Sequence, residues 1–142
     1  MPNHIEVKIQ IIIHSTDDFE KISNSLVNLF NLHPDDFIIQ SLTGHFENPI
    51  TMLTIMLRKS KAEEFVSIVS SKLNKNDLRT LSETLDEKIT STGLKIRISK
   101  QEVIMGDIIF DDKDAINIAI TIPVYVKKNI AKIYRQALKI PE

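Results

Sequence analysis

The stretch IEVKIQIIIH, residues 5–14, decides the fold class. Ile5, Val7, Ile9, Ile11 and Ile13 alternate with His4, Glu6, Lys8, Gln10 and Ile12. A period of two is that of a strand, here with one buried face and one mostly polar face. Downstream the period changes. Phe19, Ile22, Leu26, Leu29 and Phe30 repeat at helical spacing, so residues 17–32 read as a helix. Thr16 is placed to cap it, Asp17, Asp18 and Glu20 suit the positive end of its dipole, and His33-Pro34 ends it.

Residues 37–42 and 50–58 read as strands. The second is apolar on both faces, with Met52 and Met56 on one and Leu53, Ile55 and Leu57 on the other, and is expected to be central or covered on both sides. Ser60 and Glu63 have the spacing of a capping box for a helix over 61–73, and a further helix follows over 77–89. Leu94, Ile96 and Ile98 alternate with Lys95, Arg97 and Ser99. Residues 103–110 and 115–126 read as a hairpin across 111–114, and a last helix runs over 127–138. This order implies a single α+β domain over residues 1–142, with helices packed on one face of a mostly antiparallel sheet.

The 142 residues suffice for a core without disulfides or metal, and the chain contains no Cys. Thiolate sites and Cys nucleophiles are therefore excluded. No apolar run reaches the ~20 residues of a membrane span, and Glu6 and Lys8 interrupt the pattern of a signal peptide, so a cytoplasmic protein with no membrane contact is expected. The three glycines, Gly44, Gly93 and Gly106, match neither a P-loop nor a dinucleotide fingerprint. His4, His14, His33 and His45 lack the i, i+3 or i, i+4 spacing of a zinc site. His14, Ser15 and Asp18 supply the residue types of a hydrolase triad, but Ser15 and Asp18 suit a helix start. No catalytic residue, metal or cofactor is assigned.

The net charge of −1 conceals segregation: −5 over residues 1–57, +4 over 58–100, −4 over 101–123 and +4 over 124–142. On the last helix, Lys128, Lys132, Arg135 and Lys139 lie opposite Ile130, Ile133, Tyr134 and Ala137. This is the pattern of a solvated face and also of a phosphate-tracking stripe. Lys95 and Arg97 point off the core face of their strand, with Lys100 at its end, which fits either edge protection or a shallow cationic platform.

The segment Gly44-His45-Phe46-Glu47-Asn48-Pro49-Ile50 places His45, Phe46 and Asn48 on a loop between strands. It resembles the Gly-His-aromatic-Gly-Asn-Pro-Ile motif of an archaeal family of predicted exosome subunits or RNA-binding proteins, with Glu47 where the family commonly has Gly. His14-Ser15-Thr16-x-Asp18 is similar to that family's His-x-Thr-acidic-Asp turn. Lys100-Gln101 followed by Gly106 is similar to its Asp-Lys-Gln…Gly hairpin, with Ser99 in place of Asp. The resemblance implies a fold similar to that of the 5S-rRNA-binding ribosomal protein, and an RNA-binding role in RNA processing. On that reading Lys95, Arg97, Lys100, Lys128, Lys132 and Arg135 hold phosphates, while His14, His45, Asn48 and Gln101 add hydrogen bonds. Expected partners are RNA, exosome or other RNA-processing subunits, and a second copy of the chain in a homodimer. The alternative is a non-enzymatic protein-interaction subunit of an RNA-processing complex.

Overall fold

In the computed structural model, which describes residues 4–43 and 49–140, the alternating N-terminal stretch is strand β1 (Glu6–His14). It pairs along its whole length with β3 (Pro49–Arg58), Glu6 opposite Arg58 and His14 opposite Ile50. On its other side it pairs with β6 (Ala115–Thr121), Glu6 opposite Thr121 and Gln10 opposite Asn117. β2 (Phe37–Thr43) lies outside β3; β5 (Gly93–Ser99) lies outside β6, with the short β4 (Ile89–Thr90) beyond it. The sheet therefore runs β2-β3-β1-β6-β5-β4, and every pairing is antiparallel.

Helices α1 (Phe19–Phe30), α2 (Lys59–Lys72), α3 (Lys75–Lys88), α4 (Lys100–Ile104) and α5 (Ile130–Leu138) form a layer on one face. The core is the seam between the layers. Val7, Ile9 and Ile11 of β1, Leu53, Ile55 and Leu57 of β3, and Ile116, Ile118 and Ile120 of β6 meet Leu26, Phe65, Val69, Leu81 and Leu85 from the helices. Phe30 of α1 and Phe65 of α2 touch with ring centroids 4.5 Å apart. Among the described residues, the opposite face of the sheet carries no helix. Residues of the other parity along β1, including Glu6, Lys8, Ile12 and His14, are exposed there.

Gly93 sits where this sheet admits no side chain. Its φ is +109°, and a Cβ would fall 2.5 Å from the Ile120 carbonyl oxygen.

Several expectations need correction. Residues 103–110 are not a strand. Ser99 caps the short helix α4, the chain turns at Met105 and Gly106, and only Phe110 bridges back to Ile98. The partners of β6 are β1 and β5. β6 ends at Thr121, short of Pro123, whose missing N–H cannot extend a ladder. β3 is an interior strand, paired on both edges by β2 and β1, but it is not covered twice: Met52 and Met56 lie on the open face, and Met56 is exposed. Asp18, not Thr16, caps α1, accepting from Lys21 N at 3.1 Å. Ser60 caps nothing, because the chain turns straight from β3 into α2 at Lys59, whose N–H donates to the Ile5 carbonyl.

Candidate functional site

The open face of the sheet is organised by register. Lys8 on β1 stands opposite Ala119 on β6, which stands opposite Lys95 on β5. In the next row Gln10 stands opposite Asn117, which stands opposite Arg97. Neighbouring strands are about 4.8 Å apart and residues two positions apart along a strand about 6.8 Å. The two rows thus set a cation on each side of a small alanine, with two amides and a guanidinium beside them. Ala119 keeps the floor low, and these side chains line a groove of about 310 Å³. Lys8, Lys95 and Arg97 are exposed, and among the described residues none of them is in an ion pair. A second hollow of about 380 Å³ lies on the outer side of β5, where Lys95 and Arg97 meet Lys88, Glu87, Asp111 and Asp112. The carboxylates bound the cationic surface on that side.

A second cluster forms at the end of the sheet where His14 emerges. The Lys100 side chain is 1% exposed. Its Nζ donates to the Ile12 carbonyl at 2.8 Å, to Asp17 Oδ2 at 3.1 Å and to Asp114 Oδ1 at 2.7 Å. An ammonium has three protons, and all three are used. Burial alone would raise the Asp17 carboxyl; the His14 N–H and the Lys100 ammonium outweigh it and hold that carboxyl below the usual carboxylate range. Lys100 therefore pins the β1–α1 turn to the start of α4 and to the turn before β6. It is removed from the set of phosphate-facing cations: a buried ammonium between two carboxylates presents nothing to a ligand.

The same pin brings two of the family-like motifs together, His14-Ser15-Thr16-x-Asp18 and Lys100-Gln101. His14 is exposed at the end of β1, and Gln101 is exposed on the first turn of α4. Gln101 lines a hollow of about 390 Å³ with Thr16, Asp18, Lys21, Glu102 and Met105. His45 and Asn48 lie outside the described residues. The flanks of their segment do not: Thr43 pairs with Pro49, and Ile50 pairs with His14.

The cations of α5 stand apart from both clusters. α5 packs on α2 and α3 in the helix layer, burying Tyr134, Ala137 and Leu138. The Tyr134 hydroxyl accepts from Ile122 N at 3.1 Å, and burial raises its pKa against the effect of that bond. Lys128, in a 3₁₀ turn before the helix, and Lys132 are exposed. Arg135 is half-buried and donates to Ser82 Oγ and to the Ser82 carbonyl, both at 2.7 Å. Lys132 and Arg135 thus belong to the helix layer, whereas Lys95 and Arg97 lie on the open face of the sheet. Lys8, Gln10 and Asn117 complete the open-face rows, although only the polar half of an alternation hinted at them in the sequence. Among the described residues no group of three His, Cys, Asp or Glu is placed to hold a metal, and no helix is long and apolar enough to cross a membrane.

Comparison with known proteins places this arrangement. The RNA-binding protein PAB1135 of Pyrococcus abyssi is 30% identical over 132 residues, covering 88% of this chain and 86% of its own. The crystal structure of protein AF2318 from Archaeoglobus fulgidus, of the DUF54 family, matches with a TM-score of 0.80 at 24% identity, over 94% of this chain and 99% of its own. That of SSO0741 from Sulfolobus solfataricus, also DUF54, matches with a TM-score of 0.74 at 23% identity, over 94% and 97%. These two likenesses establish a shared fold. A family model described as RNA binding matches residues 6–124, which hold all six strands, and the chain belongs to that RNA-binding family.

Proposed function

We propose that this chain is a non-catalytic, cytoplasmic RNA-binding protein, one domain throughout, that holds RNA by its phosphates on the open face of the sheet. The observation that carries this reading is the pair of rows Lys8–Ala119–Lys95 and Gln10–Asn117–Arg97. Three unpaired cations flank a low floor, and two amides between them are free to bond ribose hydroxyls or base edges. The residues matched by the family model contain all of this surface. His14 and Gln101 add hydrogen bonds at the far end of the sheet, and His45 and Asn48, outside the described residues, are proposed to add theirs. Lys128 in the turn before α5 and Lys132 on that helix offer further cations, and Arg135, which donates twice to Ser82, stands beside them. Association with an exosome or a related RNA-processing complex, and the likeness to the 5S-rRNA-binding ribosomal protein, rest on the motif resemblance.

The test is RNA retention as a function of salt. The logarithm of affinity should fall linearly with the logarithm of salt, with a slope of about 0.9 per phosphate contacted in a duplex and about 0.7 in a single strand. Absence of retention of structured or single-stranded RNA at low salt would remove the proposal.

A second reading is carried by β2. This edge strand exposes Ile38 (53%), Ile39 (54%) and Leu42 (42%), an apolar edge of the kind that natural sheets usually protect. A homodimer, or a subunit of an RNA-processing complex, would cover it. Light scattering over a wide concentration range decides on the homodimer, which a monomer throughout refutes. A partner that co-purifies through high salt would favour the complex.

A further inference from the structure

Tyr125 is 92% exposed. The other described Phe and Tyr rings are buried or half-buried: Phe30, Phe65 and Tyr134 in the core, and Phe19, Phe37 and Phe110 packed against it. A ring in water adds nothing to the fold, yet its place in the chain lies between two anchored points. Three residues earlier, Ile122 is buried and its N–H is held by the Tyr134 hydroxyl. One residue later, the Val126 carbonyl accepts from Asn129 N at 3.0 Å. Lys127 and Lys128 follow at once, both exposed and, among the described residues, neither in an ion pair. They precede α5 at its positive end, where a cation costs stability, and no acidic residue occupies the first turn of that helix to offset them.

The topology ties this spot to the open face. Tyr125 lies four residues past Thr121, the last residue of β6, a reach of at most about 14 Å. Thr121 is two residues beyond Ala119, the centre of the Lys8–Ala119–Lys95 row. An exposed ring beside cations that are in no ion pair among the described residues, within that reach of the strand that floors the groove, has the chemistry of single-strand recognition. Every base offers a π-face to stack on, and the flanking phosphates need cations.

We propose that Tyr125 is a stacking platform for one unpaired nucleotide of the bound RNA, with Lys127 and Lys128 holding its neighbouring phosphates. This rests on the open-face reading and adds to it a substrate class: RNA with an unpaired segment leaving the groove. Tyr125 lies one residue past the stretch that the family model covers, so the site is argued for this chain alone.

The composition supplies the readout. The chain has no Trp and two Tyr, and the other, Tyr134, is buried. Ultraviolet tyrosine emission therefore reports on Tyr125 against a constant background. The probes are an oligoadenylate single strand of about 10 nucleotides and a blunt RNA duplex of the same length, titrated at low salt. The single strand should quench the emission and the duplex should not. Tyr125→Ala should weaken single-strand binding about 5- to 150-fold while changing duplex binding less than about twofold. Tyr125→Phe should keep the single-strand affinity and abolish the quench. Single-strand binding without a quench, or unaltered by Tyr125→Ala, overturns the stacking site and leaves the open-face reading standing. Binding of neither probe by the unaltered protein overturns both.

Discussion

Lys95 and Arg97 stand in water on β5, whereas Lys100, one residue past the end of that strand, is sealed inside the protein. They carry the same charge and lie within one short run of sequence. The difference comes from parity and from distant partners. Lys95 and Arg97 share the open-face parity of the strand. Lys100 has the core parity, and its carboxylates arrive from 83 residues upstream and 14 downstream. A charge visible in a sequence thus belongs to a binding surface only when the fold leaves it in water.

The largest expected effect of breaking this contrast is on stability. Lys100→Met leaves Asp17, 13% exposed, without its counter-ion and leaves the Ile12 carbonyl without its donor. Removing one partner of a buried pair costs about 3–5 kcal/mol; the lower end applies here, because Asp114 is half exposed and can be rehydrated. Chemical denaturation should show that loss, while the salt slope of RNA binding stays as it was. A neutral effect on stability, with a slope shallower by about one phosphate, would put Lys100 back among the cations proposed to contact RNA.

A smaller effect concerns acid. Because the folded Asp17 carboxyl is held below its ordinary value, its contribution is present above the unfolded carboxylate pKa, ~3.9, and is lost as pH falls through the folded value. The stability gap between the unaltered protein and Asp17→Asn should be full at neutral pH and close on acidification below about pH 4. A gap that widens with acid would contradict the Lys100–Asp17 pairing.

The α5 cations should show the least. Arg135→Ala removes two hydrogen bonds to Ser82 and should cost about 1–2 kcal/mol. Lys132→Ala, at an exposed position, should stay within about 0.5 kcal/mol. On RNA, replacing Lys128 and Lys132 by Ala should shallow the salt slope by no more than about two phosphates and weaken all sequences alike. An unchanged slope would return this helix face to ordinary solvation.

The elements legible in the sequence are those with long periodic patterns. β1, α1, α2, α3 and α5 follow their apolar spacing, and so does the burial of one sheet face. The helix starts show where local signals stop being decisive. Ser60-Lys61-Ala62-Glu63 and Ser99-Lys100-Gln101-Glu102 are the same Ser-x-x-Glu pattern. The first fails as a cap because α2 has already begun at Lys59. The second works: Ser99 Oγ accepts from Glu102 N at 3.1 Å and starts a five-residue helix. So short a helix has no stripe to betray it, and the apolar residues from Val103 to Phe110 then imitate a strand. The site was half legible for a related reason. Outward parity is visible for Lys95 and Arg97, but their alignment with Lys8, Gln10 and Asn117 depends on the register of three strands, which no local pattern encodes.

The most direct test of the open-face site is the salt dependence of RNA affinity for the triple replacement Lys8→Ala, Lys95→Ala and Arg97→Ala beside the unaltered protein. All three side chains are exposed, so folding stability should be nearly unchanged. If the groove holds RNA by its phosphates, affinity at low salt should drop and the slope should become shallower by up to about three phosphate contacts, equally across sequences. A variant that binds RNA with the parent's affinity and slope would contradict the open-face site.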